Sequence, residues 1–208
     1  MLNVPCSPFI YGNRHERLGM GYVFEIRGEK PISMSESDIM QILTYPDDIL
    51  KIKSEAIENI DDDLQVLIDC MGKTMYAAPG IGLAANQVGE TKRVLVYDTN
   101  PMENGQDLSV LINPEIAYAE GEIVHEEACL SVIDFSAEVT RYSHIQVRGL
   151  DRHGNPLDIE AEGLLAICLQ HEIDHLDGLL FIDHISGLKR SLYTKRIKKL
   201  LKKGASSP

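Results

Sequence analysis

Residues 170–178 read QHEIDHLDG and follow the apolar run GLLAICL. The pattern predicts one helix, buried over much of its length, that still carries two histidines and two acids within five residues. On an α-helix His171 and His175 share a face, about 40° apart and one turn along the axis, close enough for two imidazoles to hold one metal ion. Glu172 is offset by about 100° from His171 and about 60° from His175, so it can flank the ion without binding it. This is the H-E-x-x-H arrangement, with two neutral nitrogen ligands and a carboxylate beside a water. The competing reading is a satisfied surface cluster on an amphipathic helix. Against it, the motif follows an apolar stretch, and burying three ionisable groups needs a compensating role.

A catalytic metal site needs a third protein ligand and an open fourth position. Cys168 shares the histidine face, but its Cα lies about 7.5 Å along the axis from the midpoint of the two histidines, a gap too long for a cysteine side chain. It reads as core packing beside Leu164 and Leu165. His184 follows the helix-ending Gly178 at a spacing that matches no metal motif. His125, His144 and His153 read as surface residues, Cys70 as core, and Cys6 as part of the N-terminal extension. Cys129, in EEACLS, remains as a candidate that spacing alone does not single out.

These residues need elements to position them. DDLQVLIDCMGKTMYA (62–77) has Leu64, Leu67, Ile68, Met71 and Met75 on one helical face, with Asp61 placed to cap it. APGIGLAANQVG reads as a glycine-punctuated loop. RVLVYDT reads as a buried strand, and SVLINPEI and GEIVHEEACLS as further strands. SHIQVRGLDRHGNPLDIEAEG alternates around RHGN as a hairpin. The motif helix spans about 162–177, ended by Gly178, and a last helix spans 187–203. Strands dominate the middle and helices the flanks, so the class is α+β.

At 208 residues the chain suits one domain with trimmings, and 44% hydrophobic and 25% charged residues are ordinary for a globular protein. No run of 18 apolar residues points to a membrane span, and the N-terminus lacks a secretory pattern. Four cysteines without a C-x-x-C pair fit a reducing, cytoplasmic compartment. Net charge is −12, yet residues 186–204 hold eight Lys or Arg and no acid, so the chain ends in a basic segment on an otherwise acidic body. Residues 1–37 have no clear period and read as a weakly ordered extension. The regular pattern that opens at Met34 makes that residue a candidate natural start.

Three segments together, GIGLAANQ (80–87), EACLS (127–131) and QHEIDH (170–175), resemble in order and spacing the signature motifs of the peptide deformylase family, and the likeness runs from about residue 40 to about 200. The resemblance implies a catalytic domain over 38–204, with antiparallel and mixed sheets around a central metal-binding helix and a basic C-terminal helix. It implies one divalent ion per chain, ferrous iron by preference with zinc, nickel or cobalt able to substitute, held by Cys129, His171 and His175. Glu172 matches the general base and acid, and Gln87 and the Leu130 N–H the groups that bind the developing oxyanion. Gly80, Ile81 and Gly82 match the loop that pairs with the substrate backbone. The substrate implied is the N-formylmethionyl end of a nascent polypeptide, with formate released. The family also offers a use for the basic helix, docking at the ribosomal exit tunnel; no membrane or DNA partner is implied.

The chain departs from the family pattern at Ala128, where glycine is common, and at Ile133 and Ser136, where proline and arginine are frequent. If position 128 requires a positive φ, Ala128 is strained there. Glu127 is retained, and Arg141 aligns with its usual ion-pair partner. Two other readings are a zinc peptidase built on the same H-E-x-x-H, which would normally take a downstream third ligand, and a non-catalytic binding module centred on the basic tail.

Overall fold

A computed structural model of the chain describes residues 38–101 and 106–204. The 1–37 extension and the proposed start at Met34 lie outside the described residues. Helix α1 (Asp62–Ala77) is followed by strands β1 (Gly82–Ala84), β2 (Val94–Tyr97), β3 (Ser109–Glu120), β4 (Ile123–Cys129), β5 (Val132–Arg141), β6 (His144–Leu150) and β7 (Pro156–Glu162), then by helices α2 (Gly163–Leu176) and α3 (Gly187–Gly204). The class is α+β, as the order of elements predicts. Five strands form one sheet in the order β1-β2-β3-β6-β7, and β4 and β5 form a separate two-stranded ribbon.

No mixed sheet is present among the described residues. Every strand pair is antiparallel, and parallel pairing is confined to the isolated bridge Glu55–Lys92. Short turns join β3 to β4, β4 to β5 and β5 to β6, whereas a parallel pair needs a long crossover.

The central strands are apolar throughout because both of their faces are covered. Leu83, Val94, Val96, Val110 and Ile112 face α1 and pack with Leu64, Ile68, Met71 and Met75. The alternate residues Ala84, Leu95, Leu111, Ile145 and Val147 face α2 and pack with Ala166, Leu169, Ile173 and Leu176. Helix α1 starts where the Asp61 side chain accepts a hydrogen bond from the Leu64 N–H at 2.9 Å. Two residues past the end of helix α2, Gly178 has a φ of 75°, in the left-handed region. A Cβ there would meet the Lys51 carbonyl oxygen at 2.6 Å, so glycine is required both by conformation and by space.

A third core joins the ribbon to the C-terminus. Val132, Ala137 and Val139 of β5 pack with Leu180, Phe181 and Ile182 and with Tyr193 and Ile197 of α3. The tail helix is thus docked through one face, while Leu188, Leu192, Leu200 and Leu201 are 72%, 59%, 51% and 54% exposed. Two strands go beyond the sequence reading: β1 lies inside the segment read as a loop, and β5 was not anticipated. No helix among the described residues is long and apolar enough to cross a membrane.

Candidate active site at the seam of sheet, ribbon and helix

Cys129 ends β4, and His171 and His175 occupy the last two turns of α2. The fold brings the ribbon end against that helix, and one ligand atom from each of the three residues lies within 4.8 Å of the other two. The Cys129 sulfur is 3.1 Å from His175 Nε2. His171 gives its Nδ1 to Glu127 Oε2 at 2.8 Å, which leaves Nε2 as its ligand atom. A thiolate and two imidazoles converging this closely suit a borderline or soft divalent ion, so the residues fit a catalytic metal. Cys168 is buried elsewhere on α2 and His184 lies beyond its end; neither joins the cluster.

Second partners fix these side chains. The Arg141 guanidinium grips Glu127 through Nε to Oε1 at 2.7 Å and Nη2 to Oε2 at 3.1 Å, and donates through Nη1 to Asp174 Oδ2. Asp174 also pairs with His184 Nε2 at 2.7 Å. The two acids of the motif therefore diverge in use: Asp174 anchors the helix to β5, and Glu172 faces the centre. The Glu127–Arg141 side chains are 3% and 4% exposed, so this is a buried brace and not a loose surface pair. Burial by itself would raise the Glu127 carboxyl, but hydrogen bonds from His171 and Arg141 outweigh it and hold the pKa down at about 2.

Glu172 is 4% exposed, and its Oε2 has no hydrogen-bond partner among the described residues. Burial, with Glu127 nearby, pushes its pKa up to about 7 against the opposing pull of His171. A carboxyl poised near neutrality, with one oxygen unused, is suited to accept and return a proton. Space for it is made by Gly82, where a Cβ would meet Glu172 Oε1 at 2.5 Å and its Cδ at 2.8 Å. A Gly82→Ala variant is expected to fold and to lose about 10²-fold in kcat, since a displacement near 1 Å of a reacting group has that effect. Steady-state kinetics alongside a thermal melt checks this.

Gln87 lies in the short helical turn Ala85–Val88 and is buried. Its Oε1 accepts from the Ala84 N–H at 2.8 Å, which orients the amide and turns Nε2 toward Ser131 Oγ at 3.2 Å and Cys129 Sγ at 3.7 Å. The donor end of the amide therefore faces the Cys129 side of the cluster. Leu130, Gly80, Ile81 and Gly82 line a cavity of about 350 Å³ together with Gln87, Cys129, His171 and Glu172. The Ile81 carbonyl already accepts from the Asp98 N–H at 2.9 Å, which ties this loop to β2.

The remaining cavity wall was not anticipated. Leu164, Ile167 and Cys168 supply an apolar side, and His125, expected on the surface, is exposed yet stands in the wall. The helical period held the signal for α2, because residues 164, 167, 168 and 171 follow one face. Among the departures, Ala128 is unstrained: the non-glycine residues of positive φ are Pro79, Gln106, Asn113 and Asp134 among those described. A bulge between the pairs Ala128–Ser136 and Cys129–Val132 takes up the irregularity at Asp134 instead. Ser136 Oγ donates to Glu126 Oε1 at 2.8 Å at the ribbon surface.

An H-E-x-x-H helix with a converging cysteine sulfur, a carboxyl held near neutrality and an adjoining cavity is the arrangement of a metal-dependent hydrolase. Residues 39–191 match the sequence profile of polypeptide deformylase. A peptide deformylase of Thermodesulfovibrio yellowstonii is 58% identical over 160 residues, covering 77% of this chain and 97% of its own. The crystal structure of a peptide deformylase from Legionella pneumophila superposes with a TM-score of 0.74 at 43% identity, covering 82% of this chain and 99% of its own. That of the Ehrlichia chaffeensis enzyme in complex with actinonin gives 0.72 at 39% identity, covering 77% and 96%. The chain belongs to the polypeptide deformylase family, hydrolases that remove the N-formyl group from the terminal methionine of nascent polypeptides.

Proposed function

We propose that deformylation is carried out in this chain by Cys129, His171 and His175 as metal ligands, Glu172 as the proton-transfer group, and Gln87 with the Leu130 N–H as oxyanion donors. The observation that supports this most directly is the three-ligand cluster beside a buried Glu172 oxygen that has no partner. A divalent ion there supplies Lewis acidity and lowers the pKa of water toward neutrality. Glu172 Oε2 takes the water proton and later delivers it to the departing methionyl amine, so the carboxyl begins and ends the cycle ionised. The Gln87 Nε2–H₂ donates to the formyl oxygen as it gains charge, and one such donor is typically worth about 3 kcal/mol. Gly80, Ile81 and Gly82 receive the extended substrate backbone, and the apolar wall of Leu164, Ile167 and Cys168 receives the methionine side chain. We assign the catalytic unit to residues 38–204, and the cytoplasm as its compartment.

The test is formate release from formyl-Met-Ala-Ser by metal-analysed protein, with the unformylated peptide as control. Internal cleavage without formate would favour the peptidase reading and reject this one.

We assign ferrous iron as the working metal, with zinc, nickel or cobalt able to replace it. Cys129 is partly exposed, and a thiolate on iron is open to oxidation. The iron form is expected to lose most of its activity under air or peroxide while the nickel form keeps it, read by parallel time courses. We also propose that α3 docks on ribosomal RNA through its cations, with strongly salt-dependent binding. Truncation after Gly187 is expected to abolish low-salt co-sedimentation with ribosomes; unchanged co-sedimentation would remove the proposal.

A further inference from the structure

The two histidines of the cluster are supported unequally. His171 Nδ1 has the Glu127 carboxylate at 2.8 Å, but His175 Nδ1 is buried with no hydrogen-bond partner among the described residues, in a residue that is 1% exposed. A histidine that offers Nε2 to a metal must carry its proton on Nδ1, so this atom is a donor. Two further buried atoms have no partner, Asn86 Oδ1 and Ser54 Oγ. Both belong to residues that hold the same end of α2. The Asn86 Nδ2 donates to the His175 carbonyl, and the Ser54 N–H donates to the Leu176 carbonyl at 2.8 Å. Since a carbonyl only accepts, the Asn86 amide has one permitted orientation, with Nδ2 on His175 O and Oδ1 as an acceptor turned elsewhere.

We infer that a single internal water molecule joins His175 Nδ1, Asn86 Oδ1 and Ser54 Oγ, and that Asn86 and Ser54 are positioning residues for His175 as a metal ligand. This rests on the reading of Cys129, His171 and His175 as a metal centre. Three of the water's four hydrogen-bonding positions are used. The water accepts from His175 Nδ1–H and from the Ser54 hydroxyl, and donates one hydrogen to Asn86 Oδ1. Internal waters typically make about three hydrogen bonds to polar groups that would otherwise be unsatisfied. One ligand is thus oriented by an anion and the other by a neutral water, which leaves His175 the less strongly polarised of the pair.

The experiment uses the zinc-loaded and cobalt-loaded full chain. Ser54→Ala keeps the backbone bond to Leu176 and removes one partner of the water; Asn86→Ala removes a second partner and the bond to His175. Zinc transfer to a chromogenic chelator is expected to be several-fold faster from the first variant and about 10–100-fold faster from the second, with the cobalt d–d absorption shifted in both. A purely structural role would lower the melting temperature of the metal-free protein and leave the cobalt spectrum in place, and that result overturns the inference. If Asn86→Ala does not fold, Ser54→Ala decides alone. A crystal structure of the zinc form is expected to show ordered density within hydrogen-bond distance of all three atoms, and a protein group bonded directly to His175 Nδ1 would refute the water. Zinc bound at one per chain but released at the parental rate from both variants removes this inference alone. Failure of the parent to bind zinc or cobalt removes the metal reading and this inference with it.

Discussion

Glu172→Gln is expected to lower kcat by about 10²–10⁴-fold, the usual worth of a positioned proton-transfer group, and to leave metal content unchanged. The substitution keeps the size of the side chain in the space that Gly82 leaves open and removes its ability to take a proton. The same variant is expected to be more stable than the parent when both are metal-free. In the folded chain the Glu172 carboxyl is raised from 4.5 to about 7, chiefly by burial. The folded state therefore favours the protonated acid. The stability linked to this group is fully present below about pH 4.5 and is lost as pH rises through about 7. An amide has no such dependence, so the advantage of the variant should be near zero at pH 4, grow above pH 5 and reach on the order of 3 kcal/mol at pH 8. Paired chemical-denaturation curves of the metal-free proteins across that range check it. A variant that stays active, or that shows no pH-dependent gain, would contradict both the role and the burial argument.

Arg141→Met is expected to cost about 3–5 kcal/mol, because it leaves the buried Glu127 without its cation. Arg141 pairs with Glu127 and Asp174, and the Glu127–Arg141 side chains are almost wholly enclosed. The sign with pH follows from Glu127, whose carboxyl is held at about 2 in the folded chain against 4.5. Its contribution is present above pH 4.5 and lost as pH falls through 2. The deficit of the variant should therefore be largest near neutrality and shrink in acid. Metal affinity should fall about 10–100-fold as well, since Glu127 no longer orients His171 firmly. Adding Glu127→Gln should recover part of the stability and none of the affinity. Urea titrations and chelator competition on the single and double variants separate the two effects.

The sequence was most legible where one residue spacing encoded one physical requirement. Helix α1 falls where its apolar face and the Asp61 cap place it, and the hairpin of β6 and β7 follows the alternation around RHGN. His171, Glu172 and His175 could be read because a helix of known period fixes their mutual angles. Cys129 could not be chosen by spacing, since the ribbon that carries it meets α2 only through tertiary packing. Strand β5 was hidden because its inward positions run Ala137, Val139, Arg141. The last of these is a buried cation, satisfied by Glu127 and Asp174 from other elements, so the alternation of apolar residues breaks where the function needs it. Strand β1 was hidden by its glycine, which a strand interior normally avoids and which Glu172 requires here.

The ligands also straddle a division in the hydrophobic interior. His171 and His175 belong to the helix packed on the five-stranded sheet, whereas Cys129 sits against the cluster formed by β5, Phe181, Tyr193 and Ile197. An ion held by all three, as proposed, would add a clasp between parts of the protein that are also joined by the short turns flanking the ribbon, by side-chain packing and by the Arg141 network. Loading would thus reinforce architecture far from the chemistry. Loss of such an ion would loosen the ribbon and the terminal helix more readily than the sheet.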